Sequence, residues 1–280
     1  LNKIAAMMVG TYTGGSVNLV AMSDAFGASG DMVSSSVVAD NLLMALYFFV
    51  LIAIPTIEFF LKKFKHPYID EVEARKASGE GENQAASYWK AKPVALIDIA
   101  EALAIAFAIV AISTAIADFF AGLIPTSNFG LALLNGLLGN KYLIMPTLTM
   151  LLATIKPEFM GNIGGAQELG TFLIHIFFAV IGVPASIYLI MTQAPLLLVF
   201  CAIIVGMNMI FSFVFGKIFK FNLEEICIAS NANVGGPTPA AALAIAKGWQ
   251  AMVVPALLVG TLGYVIGNYY GIFVGTFLGR

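Results

Sequence analysis

Long apolar segments constrain this chain more than any other feature of its sequence. One of them, VVADNLLMALYFFVLIAIPTIEFFL at residues 37–61, is long enough to cross a bilayer core about 30 Å thick. Similar runs follow, and they are continuously apolar instead of alternating, which excludes a membrane β-barrel. Only 11% of the residues are charged, against about 25% in soluble domains. The sequence therefore predicts an all-α polytopic membrane protein.

The apolar runs divide the chain into three predicted parts. Residues 1–61 hold an interrupted helix and one span and form the end of a first repeat. Residues 62–92 form a polar loop, and residues 93–280 form a second repeat with an interrupted helix at 223–247. The stretch 119–140 is ambiguous between an interfacial segment and another crossing. Because residue 1 reads as the middle of a helix, we expect the first helices of repeat one to precede it. The remaining spans are predicted at 93–118, 141–156, 169–191, 195–216 and 250–279.

Positive charges give the orientation. Seven of the fourteen lysines and arginines fall in residues 62–92, which places this loop in the cytoplasm. Following the chain from the loop puts Arg280 on the cytoplasmic side and Lys247 outside. The pattern predicts a multi-pass protein of the cell inner (cytoplasmic) membrane.

Two of the predicted helices are interrupted by a glycine pair among polar residues. The first interruption reads GTYTGGSVN at residues 10–18, and the second reads SNANVGGPTP at residues 230–239. With the glycine pairs in register, at an offset of 221 residues, polar residues precede each pair and small residues follow it. This similarity predicts an internal repeat.

The interruptions point to a binding site. A glycine pair releases the backbone from helical dihedral angles, and unpaired backbone groups are tolerated at membrane depth only where they face protein or a water-filled cavity. The two ends of a broken helix suit an anionic group and a cation respectively. For each break alone, the alternative is a packing kink that admits a neighbouring helix. The predicted substrate-binding residues are Thr11, Thr13, Gly14, Gly15, Ser16, Asn18, Asn231, Asn233, Gly235, Gly236 and Thr238.

Sodium is the predicted coupling ion, and no other cofactor is expected. Hydroxyl and amide oxygens beside freed carbonyls suit Na⁺, and neither interruption contains a carboxylate. A third polar segment, MGNIGGAQE at residues 160–168, opens a span and is a candidate to line the same cavity. Its alternative is a cytoplasmic turn with Glu168 favoured by a helix N-terminus. The candidate Na⁺ site consists of Gln167, Glu168, Ser230, Asn231 and Asn233.

Three further features carry two readings each. Asp40 and Asn41 open the span after the first interruption, where capping is the simplest role and contact with the site is the alternative. His175 lies within a predicted span and is either a packing residue or a proton relay. Glycines at every fourth position of the last span form either an intramolecular seam or a dimer contact. They are Gly263, Gly267, Gly271, Gly275 and Gly279.

The strings TYTGGSVNLVAM, SNANVGGPTPAAALA, DNLLMALYF and GGAQELGTFLIH resemble the YjcL-like family, a domain-of-unknown-function group of bacterial integral membrane proteins. This family is placed near the bile-acid and sodium–glutamate symporters and the cation/proton antiporters. The resemblance implies two inverted repeats whose broken helices cross at the midplane, a core domain that carries the site, and a panel domain that often forms a homodimer. Inverted repeats need an even number of crossings between the two breaks, whereas the spans above number five. We therefore predict a sixth crossing within 119–140.

Together these features predict an ion-coupled secondary transporter of a small polar solute, for which we favour an anion. The sequence contains no H-E-x-x-H, G-x-S-x-G, P-loop or Cys-x-x-Cys motif, so an enzyme is not expected. The predicted partners are the solute, the lipid bilayer and a second copy of the chain, and no basic run suggests nucleic acid. The alternatives are a channel or pore and a non-transporting membrane structural protein.

Overall fold

The computed structural model describes residues 1–77, 93–166, 168–170, 172–173, 176 and 195–279. Within these residues the chain is helical and contains no β-strand. Four helical stretches of 24 to 29 residues are long and apolar enough to cross a bilayer, which confirms an all-α polytopic membrane protein. The helices are α1 (Asn2–Gly14), α2 (Val17–Ala25), α3 (Gly30–Ala53), α4 (Glu58–Lys63), α5 (Pro67–Ala77), α6 (Leu96–Leu123), α7 (Phe129–Leu138), α8 (Lys141–Ile155), α9 (Pro157–Gly161), α10 (Pro195–Ile218), α11 (Leu223–Gly235), α12 (Pro237–Lys247) and α13 (Val253–Leu278).

The first interrupted helix is a hairpin. Helix α1 ends at Gly14, and the chain turns at Gly15, whose φ of 110° strongly favours glycine. A Cβ added at Gly10 would lie 3.0 Å from Cγ of Met22, whereas a straight helix would separate these two residues by about 18 Å. Helix α2 therefore runs back alongside α1. We call this unit, residues 2–25, hairpin 1.

The second interrupted helix is also a hairpin, because both of its ends lie beside α5. The backbone N–H of Ile69 donates to a carboxylate oxygen of Glu224 at 2.8 Å. A Cβ added at Gly248 would lie 3.4 Å from Val72, one helical turn after Ile69. A straight helix would place Glu224 and Gly248 about 36 Å apart. The chain reverses at Gly236, with φ 81°, and we call residues 223–247 hairpin 2.

Helix α13 shows that the two hairpins enter from opposite sides. At its C-terminal end, a Cβ added at Gly279 would lie 2.8 Å from the side chain of Asn2, at the base of hairpin 1. Its N-terminal end follows the base of hairpin 2 along the chain. In the middle of α13, Gly260 packs against Pro237 at the turn of hairpin 2. The turns of both hairpins therefore lie along the central part of one helix.

The glycine stripe of α13 is an intramolecular seam. A Cβ added at Gly263 would lie 2.5 Å from the carbonyl oxygen of Thr13, and one at Gly271 would lie 2.6 Å from Sδ of Met22. Side chains at these positions would push hairpin 1 away from α13. Of the two readings of the stripe, the seam is therefore confirmed, and the stripe is covered within the chain itself.

The internal repeat consists of a hairpin followed by a span. Helices α1 and α11 are each 13 residues long, and both ends of α11 lie 221 residues after those of α1. The register predicted from the glycine pairs is thus confirmed. Spans α3 and α13 complete the two units, which are inverted because their hairpins enter from opposite sides. The geometry differs from the expected crossing helices, since each helix doubles back at its glycines instead of continuing. The division at residues 1–61, 62–92 and 93–280 stays a prediction.

The extra crossing predicted within 119–140 is wrong. Helix α7 in this stretch has ten residues, about 15 Å, which is half the thickness of a bilayer core. The side-chain amide of Asn135 donates to the carbonyl of Ile124, just after α6, at 2.6 Å. The next helix begins with Lys141, which pairs with Asp24 near the base of hairpin 1 at 3.8 Å. Both ends of the stretch therefore lie on one side, and the hairpins remove the need for a sixth crossing.

The hairpin geometry also changes the side of the membrane on which Lys247 lies. Lys247 ends hairpin 2, and the neighbouring Gly248 lies against α5. On the same side, the N–H of Leu223 donates to the carbonyl of Lys65 at 2.8 Å. The prediction that Lys247 lies opposite the 62–92 loop is therefore wrong, because α12 returns to the side from which α11 enters. Arg280 is not among the residues that the structure describes.

Candidate functional site

The turns of the two hairpins meet. A Cβ added at Gly15 would lie 3.1 Å from Cα of Gly236, and one at Gly236 would lie 2.8 Å from the carbonyl oxygen of Gly14. With positive φ at both Gly15 and Gly236, neither position accepts a side chain without strain. The four glycines predicted to share a site, which include Gly235, are thus brought together by the fold.

Four helix ends converge at this meeting point. Helices α1 and α11 end there at Gly14 and Gly235, while α2 and α12 begin there at Val17 and Pro237. Helix N-termini carry partial positive charge and helix C-termini partial negative charge. The meeting point can therefore attract an anionic group and a cation to adjacent positions, as the sequence predicted for two broken helices.

A carboxylate lies beside the turn of hairpin 1. Asp40 of α3 is 0% exposed. One of its oxygens, Oδ2, accepts hydrogen bonds from the hydroxyl of Ser16 at 2.5 Å and from the hydroxyl of Thr11 at 3.3 Å. Two predicted site residues therefore share one acidic partner. The capping role of Asp40 is wrong, because α3 begins at Gly30, ten residues earlier and just after its N-cap Ser29.

The other side of this carboxylate has no aligned hydrogen bond. Asp40 Oδ1, the Tyr12 hydroxyl and the Ser36 hydroxyl are all buried without a hydrogen-bond partner. Tyr12 nevertheless lies close enough to interact electrostatically with both Asp40 and the thiol of Cys201. Among the described residues Asp40 forms no ion pair. Its charge therefore has hydroxyl partners and no cationic side chain.

A second polar cluster lies against hairpin 2. Tyr47, two helical turns after Asp40 on α3, contacts the Ser230 hydroxyl through a hydrogen bond. The Ser230 hydroxyl also donates to Oδ1 of Asn208 on α10 at 2.8 Å, and the Tyr47 hydroxyl donates to the same oxygen at 3.4 Å. Helix α3 thus contacts one hairpin through Asp40 and the other through Tyr47. Sequence reasoning missed Tyr47 and Asn208, although an amide within an apolar span is a detectable signal.

Two of the predicted asparagines join the arms of their own hairpins. The Asn18 amide on α2 donates to the carbonyl of Gly10 on α1 and to that of Gly263 on α13, both at 3.2 Å. The Asn231 amide on α11 donates to the carbonyl of Pro239 on α12 at 3.0 Å. In each hairpin the amide reaches a carbonyl eight residues away. Each amide adds a hydrogen bond between the two arms of its hairpin.

The remaining predicted residues are more dispersed. The Thr13 hydroxyl donates to the carbonyl of Val9 within α1 at 2.7 Å. Asn233 is half-buried and Thr238 is exposed. Their roles in binding stay predictions.

The third polar segment contacts α6. A Cβ added at Gly164 would lie 2.8 Å from Oδ2 of Asp98, and one at Gly165 would lie 2.6 Å from the side chain of Val94. Gln167 and His175 lie outside the described residues. The five-residue Na⁺ site therefore stays a prediction.

Comparison with known proteins confirms the family resemblance seen in the sequence. The chain matches the family model described as "Protein of unknown function (DUF819)" over residues 1–280. It is 49% identical over 275 residues to the "Uncharacterized membrane protein YjcL" of Bacillus subtilis (strain 168), covering 98% of this chain and 67% of that protein. No solved structure matches. A relation to the symporters and antiporters stays a prediction. The chain is a membrane protein that belongs to the DUF819 family.

Proposed function

We propose that this membrane protein is an ion-coupled secondary transporter of the cell inner membrane. The observation that carries the proposal is the contact between Gly15 and Gly236, where two hairpins from opposite sides meet. Each hairpin can uncover the meeting point toward its own side by withdrawing its turn. A site that opens to one side at a time is what alternating access requires.

The solute is a small polar molecule, and the helix ends favour an anion. The N-termini of α2 and α12 both lie at the meeting point, and helix N-termini attract negative charge through the helix dipole. Pro237 and Pro239 have no backbone N–H, so the first three residues of α12 offer the N–H of Thr238 alone. The chain has two arginines, Arg75 and Arg280, and neither lies in a hairpin. The helix N-termini therefore take the place of an arginine clamp on a carboxylate.

A coupling ion, for which we propose Na⁺, binds beside the solute. Hydroxyl oxygens of Thr11 and Ser16 lie near the C-terminal end of α1, where the helix dipole favours a cation. An ion there and an anionic solute at the N-terminal ends would stabilise each other. Such mutual stabilisation is the physical basis of symport.

The channel reading is weaker than the transporter reading. A channel needs an open polar path, whereas no side chain fits between Gly15 and Gly236. A structural protein remains the other alternative, in which the hairpins serve packing alone. We further propose that the 62–92 loop faces the cytoplasm and that any homodimer uses a surface other than the glycine stripe of α13.

Reconstitution tests the function. Purified protein in liposomes with radioactive sodium outside should accumulate sodium faster when one member of a panel of mono- and dicarboxylates is added with it. Gly236→Leu should abolish this stimulation because its side chain separates the two turns. Gly206→Leu is the matched control, since a Cβ at Gly206 meets nothing within 4 Å. Solute flux without coupling would indicate a channel, and no flux with any solute would refute transport by this panel.

A further inference from the structure

Asp40 is a buried carboxylate without a positively charged partner among the described residues. Its side chain is completely buried, ten residues inside a membrane span, and forms no ion pair among the described residues. An ionised carboxylate in apolar surroundings is strongly unfavourable unless another charge compensates it. Two hydroxyl donors reduce this cost without removing the charge. A bound cation or a proton is therefore needed when hairpin 1 is closed over Asp40.

The oxygen atoms around this carboxylate form an incomplete set. Three buried side-chain oxygens in this region have no hydrogen-bond partner among the described residues: Asp40 Oδ1, Tyr12 Oη and Ser36 Oγ. Ser36 lies one turn before Asp40 on α3, and residues at this spacing share a helix face. The Ser16 and Thr11 hydroxyls donate to Oδ2 and keep lone pairs for a further contact. Tyr12 and Ser36 are hydroxyls that can also donate, and Tyr12 interacts with the carboxylate of Asp40. Asp40 Oδ1 is therefore the one buried acceptor of this set without an aligned donor among the described residues.

The chemistry of the set selects the ion. Hard cations prefer oxygen ligands, and carboxylate and hydroxyl oxygens are what this position offers. One carboxylate balances one positive charge, which favours a monovalent ion. Among the described residues no group of three or more His, Cys, Asp or Glu side chains could hold a metal, so a divalent metal lacks its usual ligands. We propose that Asp40 binds Na⁺ through Oδ1, with hydroxyl oxygens from hairpin 1 completing the site.

Sodium at Asp40 would control the position of hairpin 1. Ser16 lies in the turn of this hairpin, next to Gly15, which contacts Gly236 of the other hairpin. An ion held jointly by α3 and Ser16 therefore holds the turn in its closed position. Loss of the ion leaves an uncompensated carboxylate and favours opening toward water. Binding at Asp40 stands without the proposed transport function, and only its role in coupling rests on that function.

Thermal unfolding of the purified protein in detergent tests the site. Melting temperatures are measured in NaCl, KCl and choline chloride at equal ionic strength, at pH 6 and pH 8. We expect Na⁺ alone to raise the melting temperature of the wild type. Asp40→Asn should lose this response, and Ser16→Ala should need at least tenfold more Na⁺. Asp31→Asn is the matched control, because Asp31 is an exposed acid at the beginning of the same helix.

Two results would overturn the inference. One is a response of Asp40→Asn to Na⁺ that equals that of the wild type. The other is stabilisation by acid instead of Na⁺ in the wild type, lost in Asp40→Asn, which would assign a proton to Asp40. If Asp40→Asn does not fold, the affinity for radioactive sodium is measured for the wild type and for Ser16→Ala. Equal affinities of these two proteins would refute the site.

The liposome assay separates this inference from the proposed function. Sodium binding that depends on Asp40, without solute-stimulated sodium uptake, would support the site and refute transport of the solutes in the panel. Solute-stimulated sodium uptake that persists in Asp40→Asn would support transport and refute the site.

Discussion

The close approach of hairpin 1 to α13 offers the sharpest test of the fold. Gly263→Ala places a Cβ 2.5 Å from the carbonyl oxygen of Thr13 and 2.7 Å from Cα of Gly14. Ordinary contacts between such atoms are about 3.5 Å, so the backbone of the hairpin must retreat by roughly 1 Å. Overpacking of this kind costs about 1–3 kcal/mol, and the retreat also disturbs the contact between the two turns.

Gly206→Ala in α10 provides the matched comparison, because its added Cβ meets nothing within 4 Å. Both substitutions improve helix propensity by about 1 kcal/mol, so the difference between them isolates the clash. Gly263→Ala should be less stable than Gly206→Ala by about 1–3 kcal/mol in free energy of unfolding. A denaturant titration can follow the reaction of a thiol-specific dye with Cys201 and Cys227, which are free and buried in the folded protein. Equal stability of the two variants would refute the packing of hairpin 1 on α13.

Three further predictions address the hydrogen bonds and the reversal. Asn18→Ala should lower the free energy of unfolding by about 1–3 kcal/mol, because two hydrogen bonds from a buried amide are lost. Asn41→Ala, at an exposed position, should change the free energy of unfolding by less than about 0.5 kcal/mol, and equal effects of the two substitutions would contradict the bridging role of Asn18. Tyr47→Phe should lower the free energy of unfolding by about 1 kcal/mol, whereas Tyr270→Phe, at an exposed site, should leave it unchanged. If Tyr47→Phe has no effect either, the proposed hydrogen bond between α3 and hairpin 2 is contradicted. Lys247→Cys should react with a membrane-impermeant maleimide from the same side as a cysteine in α5. Labelling from the other side would show that the second interrupted helix crosses the membrane instead of reversing.

Hydrophobic runs and glycine pairs in the sequence predict the positions of the spans and of the interruptions. The apolar run at 37–61 marks α3, and the two glycine pairs mark the interruptions and their register. A glycine pair frees the backbone, but the same sequence is compatible with a kink that continues and with a full reversal. The reversal depends on what the arms pack against, which for both hairpins includes α13, while α5 lies beside the base of hairpin 2. Helix α13 is far from hairpin 1 in sequence, and α5 is far from hairpin 2.

The candidate site was predictable to a similar extent. Thr11 and Ser16 stand out as hydroxyls beside a glycine pair, and both contact Asp40. The role of Asp40 was hidden because the hydrophobic run begins near it, which suggested a helix start. The polar segment at 30–36 belongs to α3 as well, with Asp31 exposed at its beginning and Ser36 buried within the protein. Hydropathy alone therefore placed the beginning of α3 too late.

The contact between Asn18 and Gly263 has a consequence for synthesis. These residues are 245 positions apart, so hairpin 1 leaves the ribosome long before the helix that covers its polar turn. Until α13 is inserted, the unpaired backbone groups of that turn would face hydrocarbon, which is strongly unfavourable. Hairpin 1 must therefore wait near the membrane surface or beside the insertion machinery. Its final burial is a late step of assembly, set by the arrival of the most distant helix.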